Sequence, residues 1–164
     1  MSVVILGIDP GFGITGYGLI EIHDSKAKNP EILEAGILKS KQNKNISERL
    51  FEIYKSLNDL LQEFSPSVLA IEEIYSISRF PRSAIFIGNV QGIVLLAAAQ
   101  RKIPVFSYFP IQIKKILLGY GRGTKLQMQK MVQRTFKLET VPKPDDVADA
   151  LAVALCHAHR TYRG

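Results

Sequence analysis

Val3-Val4-Ile5-Leu6-Gly7-Ile8-Asp9-Pro10-Gly11 is an apolar run that ends abruptly in a carboxylate and a turn. Its length and Val/Ile content predict a strand over residues 3–9, covered on both faces. Asp9 then sits at a buried strand tip, where a charge is costly unless something cationic compensates it. Asp before Pro-Gly is also ordinary turn chemistry, with the carboxylate accepting backbone N–H groups. Asp9 alone therefore decides nothing.

The same pattern recurs further along. Val68-Leu69-Ala70-Ile71 is a second apolar run, ending in Glu72. Asp146 and Asp149 open a helical stretch at a spacing of three, which sets both on one face. Acidic residues in a first helical turn also complement the helix dipole, and Asp145 is the better placed N-cap. Each carboxylate thus has a bland reading, but the set of four is harder to dismiss. Strand carboxyl ends of an open α/β sheet gather on one edge, where ligands bind. The last helix needs only to lay its first turn across that edge. Like charges held so close raise one another's pKa, and a divalent cation is the expected counter-charge. Oxygen-only donors suit Mg²⁺ or Mn²⁺. Two such ions, roughly 3.5–4 Å apart, activate a water on one side of a phosphate and stabilise the leaving oxygen on the other.

The rest of the composition agrees. The chain has 164 residues, 46% of them hydrophobic, enough for one domain over 1–164 with a substantial core. A net charge of +6 and a pI near 9.5 favour a polyanionic partner. The single cysteine, Cys156, excludes an intrachain disulfide, fits a reducing cytosol and reads as a packed thiol. The first apolar run lacks a charged leader, and Ile93–Ala99 is far shorter than the ~20 residues of a membrane span. The expectation is a cytoplasmic protein with no membrane association.

Along the chain, Gly11, Gly13, Gly16 and Gly18 read as a turn into a strand from Tyr17 to Ile22, and a third strand lies near 32–39. A helix begins near Asn45–Ser47 and ends before Pro66; Ile46, Leu50, Ile53, Leu57, Leu60, Leu61 and Phe64 give its repeat. The strand at 68–71 is followed by an irregular basic loop, a long helix from about Arg82 to Arg101, and a strand at 104–109. Helices are expected over 111–118, over 124–138 with Thr124 as N-cap, and from about Asp145 to His159. Three antiparallel strands followed by alternating helices and parallel strands make a mixed α/β layout.

Other motifs carry less. Gly119–Lys125 lacks the Gly-Lys-Ser/Thr ending of a P-loop, and reads as a basic loop touching phosphates. Lys114, Lys115, Arg122, Lys125 and Lys130 are either phosphate contacts or a solvated face. Tyr75, Arg79, Phe80 and Arg82 follow Glu72, where aromatic and basic side chains stack on unpaired bases or pack on the core. His157 and His159 point different ways and make a poor metal pair. The long helix is apolar around much of its circumference, which fits either a dimer contact or burial beneath another helix.

Gly-Ile-Asp-Pro-Gly at 7–11, Ala-Ile-Glu-Glu at 70–73, Gly-Tyr-Gly-Arg-Gly-Thr-Lys at 119–125 and Asp-Val-Ala-Asp-Ala-Leu-Ala at 146–152 together resemble the RuvC family of Holliday-junction resolvases. The resemblance runs the length of the chain, in order. It implies a ribonuclease-H-like fold, with a five-stranded mixed sheet flanked by helices. It also implies a homodimer that makes paired, Mg²⁺-dependent nicks in a four-way DNA junction, with a branch-migration motor (RuvA and RuvB) as partner. By motif, Asp9, Glu72, Asp146 and Asp149 are the implied catalytic metal ligands. Tyr75 matches an aromatic near the junction centre, and Lys114 and Lys125 match backbone-contacting positions. Glu73 stands where many relatives have Gln, and Asp145 precedes Asp146, so the ligand at each position has a neighbouring rival. A sugar-kinase-type ATPase, a non-cleaving DNA-binding module and a nuclease acting on RNA–DNA hybrids are the competing functions. The first needs a duplicated fold that 164 residues do not supply.

Overall fold

The computed structural model describes residues 2–11, 13–23, 27–73 and 81–162. Within them lie β1 (Val3–Pro10), β2 (Thr15–Ile22), β3 (Glu31–Leu38), α1 (Ile46–Phe64), β4 (Val68–Glu72), α2 (Pro81–Gln100), β5 (Val105–Tyr108), α3 (Pro110–Leu118), α4 (Lys125–Thr135) and α5 (Asp145–Thr161). One sheet runs in the order β3-β2-β1-β4-β5. The first three strands are antiparallel neighbours, and β4 and β5 run parallel to β1. The expected mixed α/β sheet is present, with β1 at its middle.

Alternation along the strands divides the apolar side chains between two layers. Ile5 of β1, Ile20 of β2 and Val68 and Ala70 of β4 meet α3, α4 and α5. Leu6, Ile8, Leu19, Leu69 and Ile71 meet α1 and α2 on the other face. Helix α1 starts on a reciprocal cap, Asn45 Oδ1 accepting from the Glu48 N–H while Glu48 accepts from the Asn45 N–H. It ends with Ser65 in the left-handed region, just ahead of Pro66.

Helix α5 packs closest of all. A Cβ on Gly7 would lie 2.2 Å from the Ala150 carbonyl oxygen, and one on Gly16 would lie 2.1 Å from that of Asp146. Gly18 would meet Leu151 Cδ2 at 2.6 Å. Gly16 and Gly18 therefore lie inside β2 as a seat for the helix, not in a turn, and the strand begins two residues earlier than expected. Other boundaries also moved: α4 stops at Thr135 rather than 138, and α5 runs on to Thr161.

Helix α2 corrects the membrane argument. It spans 20 residues with a mean hydropathy of 1.5 over an 18-residue window, long and apolar enough to cross a bilayer on those two measures. Phe86, Val90, Val94, Ala97 and Ala98 are nevertheless buried in the layer against the sheet. Cys156 is fully buried and its thiol is pushed up to about 12 by desolvation, as a packed cysteine requires.

Candidate active site

The strand pairing settles which carboxylates meet. Ile8 of β1 is level with Ile71 of β4, so Asp9 and Glu72 are the next residues on two adjacent parallel strands. Both continue the alternate set that faces α5: Asp9 follows Ile5 and Gly7, and Glu72 follows Val68 and Ala70. Glu73 has the opposite parity, so of the two neighbouring glutamates Glu72 is the one that continues the set facing α5. Its backbone N–H donates to the Tyr108 carbonyl, continuing the ladder with β5. On α2, Gln91 Nε2 donates to the Glu72 carbonyl at 3.2 Å and ties down the end of β4.

Asp146 and Asp149 reach the same edge from α5. A Cβ on Gly11 would lie 3.1 Å from Asp146 Oδ1, so the turn after Asp9 runs directly against that side chain. Asp145 is not the N-cap. Pro144 occupies that position with no side-chain bond, and the Asp145 carboxylate is held by Lys143 Nζ at 2.6 Å and Lys125 Nζ at 3.3 Å. Those pairs hold its pKa below the usual carboxylate range.

The electrostatics of Asp9, Glu72 and Asp149 run the other way. Desolvation, then repulsion from Glu72, Asp149 and Asp146, lifts Asp9 from 3.8 to about 8. Desolvation and Asp149 lift Glu72 to about 7, with Lys114 and Lys125 opposing. Asp149 is also raised, mainly by burial, although Lys125 Nζ stands 3.6 Å from its Oδ2. Among the described residues, no three His, Cys, Asp or Glu side chains are grouped tightly enough to hold a metal ion as they stand. The donor chemistry still fits a divalent cation: hard oxygen donors from three elements, crowded enough to disfavour one another's charge.

A hollow of about 220 Å³ opens beside them, lined by Glu72, Pro110, Ile113, Lys114, Lys125, Met128, Asp149 and Ala152. Lys125 is the first residue of α4, placed there by the reciprocal cap between Thr124 and Gln127. Its Nζ bridges Asp145 and Asp149. Lys115, Arg122 and Lys130 are exposed, and Arg82 is exposed at the start of α2. Tyr75, Arg79 and Phe80 lie outside the described residues. His157 is buried, its Nδ1 2.7 Å from the Tyr108 hydroxyl, which accounts for it without a ligand.

The raised carboxylates set a pH dependence. Asp9 and Glu72 hold protons more tightly in the folded chain than their ordinary values of 3.8 and 4.5. Over that window the folded state binds more protons, so unfolding free energy falls as pH rises. The contribution is fully present below about pH 4 and lost as pH passes through about 7 to 8. His157, whose pKa is lowered by burial, acts in the opposite sense. Melting in EDTA, compared between wild type and Asp9→Asn, isolates the site: the Asn variant gains on wild type as pH rises, and millimolar Mg²⁺ removes the gap. A constant difference across pH would place Asp9 in solvent.

Known proteins share both the sheet and the site-bearing sequence. A Thermus thermophilus RuvC structure, solved also in complex with Holliday junction substrate, matches at TM-score 0.87 and 33% identity over 96% of this chain and 94% of that one. A yeast mitochondrial Holliday junction resolvase matches at TM-score 0.67, with 17% identity over 94% of this chain and 77% of the other, a likeness of fold alone. The sheet order and its flanking helices place the chain in the ribonuclease-H-like fold class. Within that class the sequence is specific. The pattern of the crossover junction endodeoxyribonuclease RuvC family matches residues 5–157, and the chain belongs to that family. Relatives of that name in Natranaerobius thermophilus and Alkaliphilus oremlandii are 39% and 42% identical over 98% and 96% of this chain, covering 97% and 93% of their own lengths.

Proposed function

We infer that this chain resolves four-way DNA junctions by paired nicks on opposing strands in recombination and repair. It would act as one nuclease domain over 1–164. The observation that carries the reading is the parity of β1 and β4, which aims Asp9 and Glu72 at the first turn of α5. In this reading Asp9, Glu72, Asp146 and Asp149 hold Mg²⁺, two ions per site. The bound metal supplies polarisation of the scissile phosphate and of the attacking water. The protein's own residues fix the geometry. Gln91 anchors the backbone at Glu72, Gly11 leaves room beside it for the Asp146 carboxylate, and Lys114 and Lys125 present cations to the phosphate beside Asp149. Lys115, Arg122, Arg82 and Arg79 add DNA contacts, with Tyr75 assigned to the junction centre from the family motif. Cleavage leaves 5′-phosphate and 3′-hydroxyl ends.

Paired nicks need two sites, and α2 offers the surface for a homodimer. Ile85, Leu95 and Leu96 are exposed at 63%, 49% and 55%, and a Cβ on Gly88 or Gly92 would meet nothing within 4 Å. These positions fall on one outward stripe of the helix. Leu95→Glu with Leu96→Glu is expected to halve the mass seen by sedimentation. A dimer that survives both charges pairs through another face. The partners assigned by resemblance are RuvA and RuvB, in the cytoplasm, where a buried reduced Cys156 is at home.

The deciding assay incubates the protein with four-way junction, linear duplex and RNA–DNA hybrid, with and without Mg²⁺, and maps the ends on every strand. Symmetric nicks confined to the junction are the expected result. Preferential cutting of the hybrid, or binding without nicks, would overturn it.

A further inference from the structure

A cavity larger than the carboxylate hollow lies elsewhere on the molecule. It is a groove of about 680 Å³ between the end of β3 and α1, with Gly13, Ile14 and Leu38 in its floor and Lys39, Lys41 and Lys55 on its rim. Its position follows from the sheet. Leu38 pairs with Thr15, and Thr15 with Pro10, so the exit of β3 lies on the same edge as Asp9. Two strand spacings separate them, about 10 Å.

The groove is a built feature. Glu52 on α1 staples the segment after β3 by accepting from the Lys41 backbone N–H at 2.7 Å and pairing with Lys44 Nζ at 2.6 Å. Gln42 Nε2 donates to the Gly13 carbonyl at 2.7 Å, joining that segment to the turn that follows Asp9. The Asn45 cap then starts α1 immediately behind it. Glu52 is occupied by Lys44, so the three rim lysines, all exposed, face Asp59 as the one other acid among the lining residues.

We propose that this groove is a second phosphate-binding site, which holds the backbone of a junction arm as it leaves the carboxylate edge. Its cationic rim complements a phosphodiester chain, and its floor is continuous with the turn that touches Asp146. The proposal rests on the junction-DNA reading above. Lys39, Lys41 and Lys55 add affinity and arm orientation and take no part in the chemistry at the scissile phosphate.

The test measures binding of a fluorescent four-way junction across a KCl series in EDTA. Wild type is compared with Lys39→Gln/Lys41→Gln/Lys55→Gln and with a charge-matched control, Lys28→Gln/Lys102→Gln/Lys137→Gln. The control lysines lie at the opposite edge of the sheet. Each phosphate contact contributes a salt slope of roughly 0.9, so the groove variant, short of three cations, is expected to lose about 2.7 from the slope and on the order of tenfold in affinity. The control follows wild type, and single-turnover cleavage at saturating protein is unchanged in both. Equal weakening in the two variants would reduce the groove to a share of the overall field, and an unaltered slope would remove it altogether. Either result overturns the proposal. Wild type that neither binds nor nicks the junction strikes instead at the function itself. Lys55→Gln alone, on a folded helix surface, gives a reading if the triple variant is poorly folded.

Discussion

Asp9→Asn is expected to lose junction cleavage by on the order of 10³-fold or more while keeping junction affinity. The substitution preserves shape and removes one charged oxygen donor from the centre of the cluster, where repulsion from Glu72, Asp149 and Asp146 converges. One negative charge fewer near a phosphate backbone does not weaken binding, so loss of rate and loss of affinity separate cleanly. The same change removes a costly buried charge, which is why the metal-free variant gains stability against wild type at high pH. Near-normal cleavage by Asp9→Asn would leave Asp9 as a turn residue and the metal site without its centre. Junction gels run with single-turnover rates in the same buffer decide it.

Gly7→Ala is expected to be strongly destabilising for the addition of a single methyl. The new Cβ would stand 2.2 Å from the Ala150 carbonyl oxygen, 2.8 Å from the Ala154 nitrogen and 2.9 Å from its Cβ. Those neighbours are mostly helix backbone, which cannot rotate away as a side-chain tip can. Overpacking costs about 1–3 kcal/mol where side chains give way, so a shift of all of α5 is expected at about 3 kcal/mol or above. Urea denaturation measures that loss. Activity should fall further than stability, because the displaced helix carries Asp146 and Asp149. A loss below about 1 kcal/mol would mean that the helix floats on the sheet instead of resting on its backbone.

Much of this was legible in the residues. The Val/Ile runs gave β1 and β4 because a strand buried on both faces has a distinctive pattern, and each carboxylate at a run's end carried the site with it. Thr124 and Asn45 announced their helices through capping chemistry that is local in sequence. What escaped was nonlocal. Gly16 and Gly18 look like turn residues until α5, more than a hundred positions later, is laid on them. Asp145 looks like a cap until Lys143 and Lys125 claim its carboxylate. Gln91 stands out only as a polar side chain within an apolar helix, and its bond to the Glu72 carbonyl depends on a crossing that no periodicity encodes. The groove beside α1 is likewise invisible in one dimension, since its walls come from three separate stretches.

The seating of α5 has a consequence for how the enzyme comes into being. Half of its carboxylate set arrives on α5, well over a hundred residues after β1, and that helix also fills the layer between the sheet and α3 and α4. A ribosome-bound chain that has not yet released residues 145–161 has neither a finished interior nor a complete cutting centre. The site is thus unarmed until residues 145–161 have emerged and docked on the sheet.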